Sequence, residues 1–316
     1  MNPKGIILLA FIGILTVQNA ITDIDYSPSN SWDNCLGKTN PPDYYSPIDF
    51  SYFVPTRFTF PAYPKFVLNN TFYKPINNLK FTYLESNNSP IKAFQGSQGS
   101  TKYSYLGMNV SGYGSAFFLY LNKTVTYDLK ELRLHVYSEH TFEGHKMDLE
   151  LQLVHEKNSD KTDQSIVGSD ELNNFLTMSV LFSIARDKKS KFIEDIIEED
   201  EDRTDERLRY KFAFVKSLDL NQFFNFNEPY YLYKGSGTTP FDCGEQMTWL
   251  VNKKVEYLSE KQMRQIQIAM MDFDFDDTEK SITYHHYPNG NSRIVKPDYK
   301  TRITYVENTD RDGDDV

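Results

Sequence analysis

Hydrophobic and polar residues alternate one by one in two runs near the middle of the chain, residues 132–137 and 149–154. A period of two residues is the pattern of a β-strand, because successive side chains point to opposite faces of a sheet. The polar stretch between the runs contains Gly144 and predicts a turn, so the strands are expected to pair as an antiparallel hairpin. Four polar side chains then share one face: Arg133, His135, Glu150 and Gln152.

A polar face of this kind is usually exposed to water. Here Val154 and Tyr137 continue the same face, and both runs lie in mid-chain, so a half-buried polar cluster inside a cavity is an equally good interpretation.

Similar short runs recur along the chain, separated by Gly, Asn and Ser clusters, and they predict an extensive antiparallel or mixed sheet. Leu176–Ile184 is mostly apolar, as expected of a strand buried on both faces. Ser259–Met270 is a helix candidate that Ser259 can cap. The other predicted strands are Lys65–Leu68, Leu79–Leu84, Tyr103–Val110, Ala116–Leu121 and Thr124–Leu129.

Residues 187–209 form a highly charged insertion with a strongly acidic second half. The spacing of Ile193, Ile196 and Ile197 fits one helical face, so a short helix leading into an exposed acidic loop is predicted. A solvated loop explains this composition most simply. The alternative is a surface for a basic partner or for divalent cations.

The N-terminus has the features of a secretory signal over Met1–Ala20: Lys4, a short apolar run and a small residue at its end. The apolar run is short for a membrane span. We therefore expect a secreted or extracellular protein without a membrane span after signal removal. An uncleaved anchor is the alternative. The formal net charge of −10 argues against nucleic-acid binding.

Two further sequence features agree with secretion. Cys35 and Cys243 are the only cysteines and are expected to form a disulfide, with two free buried thiols as the alternative. Four Asn-x-Ser/Thr sequons predict N-glycosylation at Asn69, Asn87, Asn109 and Asn122.

The central hairpin resembles that of the α-class carbonic anhydrases. Residues 138–141, Ser-Glu-His-Thr, match the family's turn, and residues 150–155 match its Glu-Leu-His-Leu-Val-His strand except at one position. A second block, Tyr230–Val251, resembles the family's Thr-Thr-Pro loop and the Trp-containing strand after it. The resemblance implies a mainly β fold with a large twisted mixed sheet and a few short peripheral helices. It implies one domain over residues 21–300, and it supports the disulfide. The acidic composition of the last residues predicts a disordered tail at 301–316.

The resemblance also implies where zinc would bind: Arg133, His135 and Gln152 stand at the family's three zinc-ligand positions. An arginine offers no lone pair and brings a positive charge, and an amide is a poor substitute for imidazole. This combination resembles the carbonic-anhydrase-related proteins, the inactive branch of the family. Glu139 and Thr238 match the family's hydrogen-bonded pair beside the zinc, and Glu150 is also retained.

We therefore expect no cofactor and a non-enzymatic binding or assembly module with an unidentified protein or surface partner. One alternative is a zinc-dependent carbonic anhydrase with substitute ligands around His135. Another is a structural component of an extracellular coat. The buried charge of Arg133 should need a carboxylate partner, for which Glu131, Glu139 and Glu150 are the candidates.

Overall fold

The fold is taken from a computed structural model. It describes residues 22–23, 45–50, 66–85, 88–92, 103–225, 227–239, 242–272, 274–276, 281–283, 291, 293, 295 and 303–306. The predicted signal at 1–20, Cys35 and Asn87 lie outside the described residues, so these predictions remain untested.

Strands dominate the described part of the chain. In order they are β1 (Thr22–Asp23), β2 (Phe66–Tyr73), β3 (Thr82–Glu85), β4 (Tyr103–Asn109), β5 (Gly114–Tyr120), β6 (Lys123–His135), β7 (Thr141–Phe142), β8 (His145–Lys146), β9 (Leu149–Lys157), β10 (Phe175–Ile184), β11 (Ile197–Glu199), β12 (Tyr210–Phe212), β13 (Tyr230–Ser236), β14 (Gln246–Leu258), β15 (Asp274–Asp276), β16 (Ser281–Thr283) and β17 (Ile303–Val306). The α-helices of this part are α1 (Lys191–Ile196) and α2 (Glu260–Met271).

Strand β6 lies at the centre of the main sheet. It pairs with β9 along one side, and with β4 and β5 along the other. The order β1-β4-β6-β9-β10-β14-β13-β17 forms the main path, with β5 also pairing β2, and β3 pairing β4. Strands β10 and β14 run parallel, whereas β9 and β10 run antiparallel. The prediction of a mainly β protein with a large mixed sheet and few short helices is confirmed.

Strand β6 is longer than the sequence pattern indicated. The predicted strand Thr124–Leu129 and the first strand of the central hairpin are one element, and a register shift between Leu129 and Glu131 interrupts its pairing with β9. The sheet also extends beyond residue 300, because β17 pairs antiparallel with β13. This part of the predicted disordered tail is therefore an edge strand.

The acidic insertion begins with the predicted helix. Helix α1 buries Phe192, Ile193 and Ile196. Ile197, however, starts β11, which pairs with β12 as a short hairpin where an exposed loop was expected. Basic residues neutralise several of its acidic side chains through the ion pairs Lys211–Glu198, Arg209–Glu199, Lys261–Glu199 and Arg264–Glu206. Helix α2 begins as predicted, with a capping box between Ser259 and Gln262.

Both faces of the central hairpin are buried. One face, with Leu132, Leu134 and Leu151, belongs to the larger hydrophobic core. The other face packs against a smaller core that contains Val154 and Trp249. The polar side chains of the hairpin therefore lie next to a hydrophobic core. Among the described residues, no helix combines the length and the apolar character needed to cross a bilayer.

Candidate functional site

The pairing of β6 with β9 brings the predicted polar residues together. Arg133 lies opposite Gln152, and His135 lies opposite Glu150. All four are almost fully buried, so this face is not exposed to water, and the burial goes further than the half-buried cluster expected as the alternative. Tyr137 departs from this face, because its side chain is 43% exposed.

Arg133 is held by two carboxylates. Its Nε donates to Glu131 Oε1 over 2.6 Å, and its Nη2 lies 2.5 Å from the same oxygen. Its Nη1 donates to Asp242 Oδ2 over 2.6 Å. Burial by itself lowers the pKa of Arg133, but Asp242 and Glu131 outweigh it and raise the pKa well above its usual value. The guanidinium is thus charged and doubly neutralised.

The sequence predicted the first partner of Arg133 and missed the second. Glu131 was one of three candidates, whereas Glu139 and Glu150 bond elsewhere. Asp242 comes from the loop after β13, where its Oδ1 accepts from the backbone N–H of Thr239 over 2.8 Å. A signal was present, since Asp242 directly precedes Cys243 in the block that carries the resemblance. The spacing of hydrophobic and polar residues, however, cannot show that a loop residue bonds to a strand residue more than a hundred positions away.

Gln152 directs its amide nitrogen at two carboxylates. Its Nε2 donates to Glu139 Oε2 over 2.8 Å and to Glu150 Oε1 over 3.1 Å. Because an acceptor-only carboxylate requires the N–H₂ end, this contact fixes the orientation of the amide. The amide oxygen is buried and has no hydrogen-bond partner within the described chain.

The imidazole ring of His135 is held in place by a hydrogen bond at Nδ1. Its Nδ1 lies 2.9 Å from the backbone carbonyl of Asn291, and since a carbonyl only accepts, Nδ1 carries the proton. Asn291 is itself held by Val136 N–H and by the Leu134 carbonyl. The lone pair of His135 Nε2 is buried without a partner among the residues described.

The expected Glu139–Thr238 pair is not formed. Glu139 uses Oε2 for Gln152 and Oε1 for the backbone N–H of Arg293, at 3.1 Å. The Thr238 hydroxyl is buried and makes no hydrogen bond to any described residue. The Glu139 carboxylate thus accepts a hydrogen bond from the amide of Gln152, whereas the resemblance implied that Glu139 would pair with Thr238.

Glu150 anchors a separate chain of hydrogen bonds. Its Oε1 lies 2.8 Å from His140 Nδ1, His140 Nε2 lies 2.7 Å from the Tyr233 hydroxyl, and that hydroxyl lies 3.0 Å from Ser46 Oγ. Burial alone would raise the pKa of Glu150, but the charge and hydrogen bonds of His140 lower it to about 2. His140 was not predicted as a site residue. Its ring also packs edge-on against Trp249, so this chain joins the polar cluster to the smaller core.

These donors do not fit a zinc ion. Zinc in a catalytic site takes three imidazole, thiolate or carboxylate ligands and leaves one position open. Of the three positions, only His135 offers a free lone pair of the right kind, while Arg133 places a cation there. Within the described ranges, no three His, Cys, Asp or Glu side chains are grouped so that they could hold a metal ion.

The structure describes three of the four predicted glycosylation sites and one of the two cysteines. The sequon residues Asn69, Asn109 and Asn122 are exposed, as glycosylation requires. Cys243 is buried, and its predicted partner Cys35 lies outside the described residues. The disulfide and the glycans remain predictions.

The fold and the hairpin together define an α-carbonic-anhydrase architecture. The family model of eukaryotic-type carbonic anhydrases matches residues 69–305, so the chain belongs to this family. It resembles the halotolerant carbonic anhydrase from Dunaliella salina with a TM-score of 0.50 and 13% identity, covering 84% of this chain and 88% of that one. At this identity, the likeness concerns the fold alone.

Curated relatives lead to the same family. The chain is 29% identical to alpha carbonic anhydrase 7 of Arabidopsis thaliana over 180 residues, which cover 57% of this chain and 54% of the relative. It is 31% identical to dioscorin dioA3 of Dioscorea japonica over 158 residues, covering 50% and 51%. The chain thus spans about half the length of the curated relatives that it matches.

Proposed function

We propose that this carbonic-anhydrase-like protein has exchanged the catalytic zinc for a buried ion pair and acts as a secreted, non-enzymatic binding or assembly module. The observation that carries the proposal is the position of Arg133, between Glu131 and Asp242. Carbonic anhydrase chemistry needs a metal that lowers the pKa of bound water toward neutrality. A guanidinium at a ligand position cannot supply that.

Electrostatics supports the exchange. A dication next to Arg133 would be repelled by a cation that cannot lose its proton. The two carboxylates around Arg133 already balance its charge, so the cluster has no need of a metal at that position. Gln152 acts in the same direction. With its N–H₂ group donating to Glu139 and Glu150, the atom left for a metal is the amide oxygen, a poorer zinc ligand than the imidazole of the family.

Secretion is the second part of the proposal. The N-terminal sequence pattern supports it, as does the exposure of Asn69, Asn109 and Asn122. Asn69 lies on β2 and Asn109 ends β4, and both residues are exposed where a glycan would be attached.

The test is the zinc content of the protein purified from a secreting host, measured by elemental analysis after dialysis against a weak chelator. Carbon dioxide hydration is measured on the same sample. We expect substoichiometric zinc and no hydration above the buffer rate. Stoichiometric zinc together with chelator-sensitive hydration would overturn the proposal and show that other residues complete a site around His135.

A gain-of-metal variant sharpens the test. Arg133→His with Gln152→His restores three imidazoles, and we expect it to bind zinc. Arg209→His adds a histidine at a surface ion pair and is the matched control, for which we expect no bound zinc.

Size-exclusion chromatography of native extract separates a soluble module from a component of a larger coat.

A further inference from the structure

The hairpin that joins β5 to β6 turns through two residues, Leu121 and Asn122. Tyr120 pairs with Lys123 at the base of the turn, and both central residues have a positive φ, 51° for Leu121 and 62° for Asn122. This is the geometry of a type I′ turn, which favours asparagine and glycine because bulkier side chains rarely adopt the left-handed region. Asn122 suits the turn, whereas the backbone of Leu121 is strained in it.

The side chain of Leu121 is also largely exposed to water. It is 55% exposed, while the preceding Tyr120 is buried. An isolated exposed leucine is common on protein surfaces and needs no explanation by itself. Leu121, however, is both exposed and strained, so neither packing within the described chain nor backbone geometry favours a leucine at this position.

Leu121 directly precedes the predicted glycosylation site at Asn122. Asn122 is exposed, and so is Thr124, which completes the sequon. At the other described sequons the residue before the asparagine is buried: Leu68 before Asn69, and Met108 before Asn109. Among the sequons that the structure describes, Asn122 thus differs in following an exposed apolar side chain.

We propose that Leu121 is a contact surface for the N-linked glycan on Asn122, and that the first N-acetylglucosamine packs against its side chain. The proposal rests on the proposed secretion, which N-glycosylation accompanies. A pyranose ring presents C–H bonds on one face, and the N-acetyl group adds a methyl, so the sugar offers an apolar surface beside the leucine. Covering Leu121 removes apolar area from water, and this offsets the strain of the turn.

The covalent link favours this contact. Asn122 holds the sugar one residue away from Leu121, so the sugar is present at a high effective concentration. Lys123, the next residue of the hairpin, donates through Nζ to Ser165 Oγ, and its amino group is therefore directed toward another loop. The glycan is thus the group best placed to cover Leu121.

A thermodynamic cycle on the full secreted chain tests the contact. Thr124→Val removes the sequon but keeps Asn122 in the turn, and Leu121→Gly removes both the side chain and the strain. Mass spectrometry gives the occupancy of Asn122, and urea unfolding gives the equilibrium constants of the wild type, the two single variants and the double variant. The effect of glycine on the unfolded chain cancels, because it enters both arms of the cycle.

We expect the glycan to stabilise the wild type more than it stabilises Leu121→Gly. The coupling should be at least about fourfold in the unfolding equilibrium constant, the equivalent of one buried CH₂ group. Trimming the glycan to its first N-acetylglucosamine with an endoglycosidase should leave this coupling in place. Both substituted residues are exposed, so all four proteins should fold.

The glycan at Asn109 supplies the matched control. Asn109 pairs with Glu131 on β6, eight positions from Lys123 at the hairpin turn, which corresponds to about 26 Å along the strand. Ser111→Ala removes this second sequon. Combined with Leu121→Gly, it should show no coupling.

The outcomes separate this proposal from the previous one. An unoccupied Asn122 in the secreted protein would overturn the contact. So would an occupied Asn122 whose coupling to Leu121→Gly is no larger than that of the Ser111→Ala control. Either result leaves the zinc-free function untouched, whereas a chain that its host retains in the cytoplasm would overturn the proposed secretion.

Discussion

Arg133 Nη1 lies 2.6 Å from Asp242 Oδ2, and this contact joins β6 to the loop after β13. Both side chains are at most 2% exposed. Breaking a buried ion pair strongly destabilises a protein, because removing one partner leaves the other charged, unpaired and out of water.

Arg133→Ala should therefore destabilise the protein by at least about 3 kcal/mol, and Asp242→Asn by a smaller amount, since Glu131 remains. Urea unfolding followed by circular dichroism measures both. Arg209→Ala breaks the half-exposed pair with Glu199 and is the control, with an expected loss below about 1 kcal/mol. A free energy of unfolding of Arg133→Ala equal to that of the wild type would contradict the assignment of this ion pair.

Acid should destabilise the protein through the protonation of two buried groups, His155 and Glu150. Burial lowers the pKa of His155 to about 4, below its usual 6.5. Between these values the unfolded chain binds a proton that the folded chain does not, so stability falls as the pH drops from 6.5 toward 4, by on the order of 3 kcal/mol. Glu150, with a pKa of about 2 against 4.5, stabilises the fold above pH 4.5 and loses this contribution as the pH falls further.

Urea midpoints at pH 7.5, 5.5, 4.0 and 3.0 test this dependence. His155→Gln should remove the loss between pH 6.5 and 4 while leaving the loss below pH 4.5. A midpoint that stays constant from pH 7.5 to 4.0 in the wild type would show that His155 does not remain neutral in the fold.

Thr238 should tolerate the loss of its hydroxyl. Because this buried oxygen makes no hydrogen bond to a described residue, Thr238→Val should change the free energy of unfolding by less than about 0.5 kcal/mol, or increase it slightly. Ser46→Ala is the matched comparison, since Ser46 Oγ bonds the Tyr233 hydroxyl and Ser236 N–H. It should cost about 1–2 kcal/mol. A larger loss for Thr238→Val than for Ser46→Ala would mean that the Glu139–Thr238 pair exists after all.

Lys157→Met should loosen the loop at residues 166–174. It removes two donors to the carbonyls of Val167 and Leu172 and should cost about 1–2 kcal/mol, with faster amide hydrogen exchange confined to residues 166–174. Lys161→Met removes an exposed pair with Asp128 and should leave exchange in this segment unchanged. Unaltered exchange in Lys157→Met would show that the amino group does not hold this loop.

Local pattern determined a large part of the fold. The alternation in residues 132–137 and 149–154 placed Arg133, His135 and Gln152 on one face, and the apolar run before Ile184 located β10. The capping residue Ser259 located the start of α2. These features follow from short-range periodicity and from capping, so a sequence displays them directly. The identity of the residues at the zinc positions is likewise a property of the sequence alone.

Tertiary structure alone decided how the cluster is satisfied. Asp242, Asn291 and Arg293 reach Arg133, His135 and Glu139 from loops more than a hundred residues away, and no periodicity encodes such pairings. Within the central hairpin, the side-chain geometry gave Gln152, in place of Thr238, an oxygen of Glu139. Long-range packing also placed Ile303–Val306 against β13, because an edge strand is fixed by its neighbour's hydrogen-bonding groups as well as by its own composition. The sequence thus determined which chemical groups are present, and the packing of distant segments decided which of them meet.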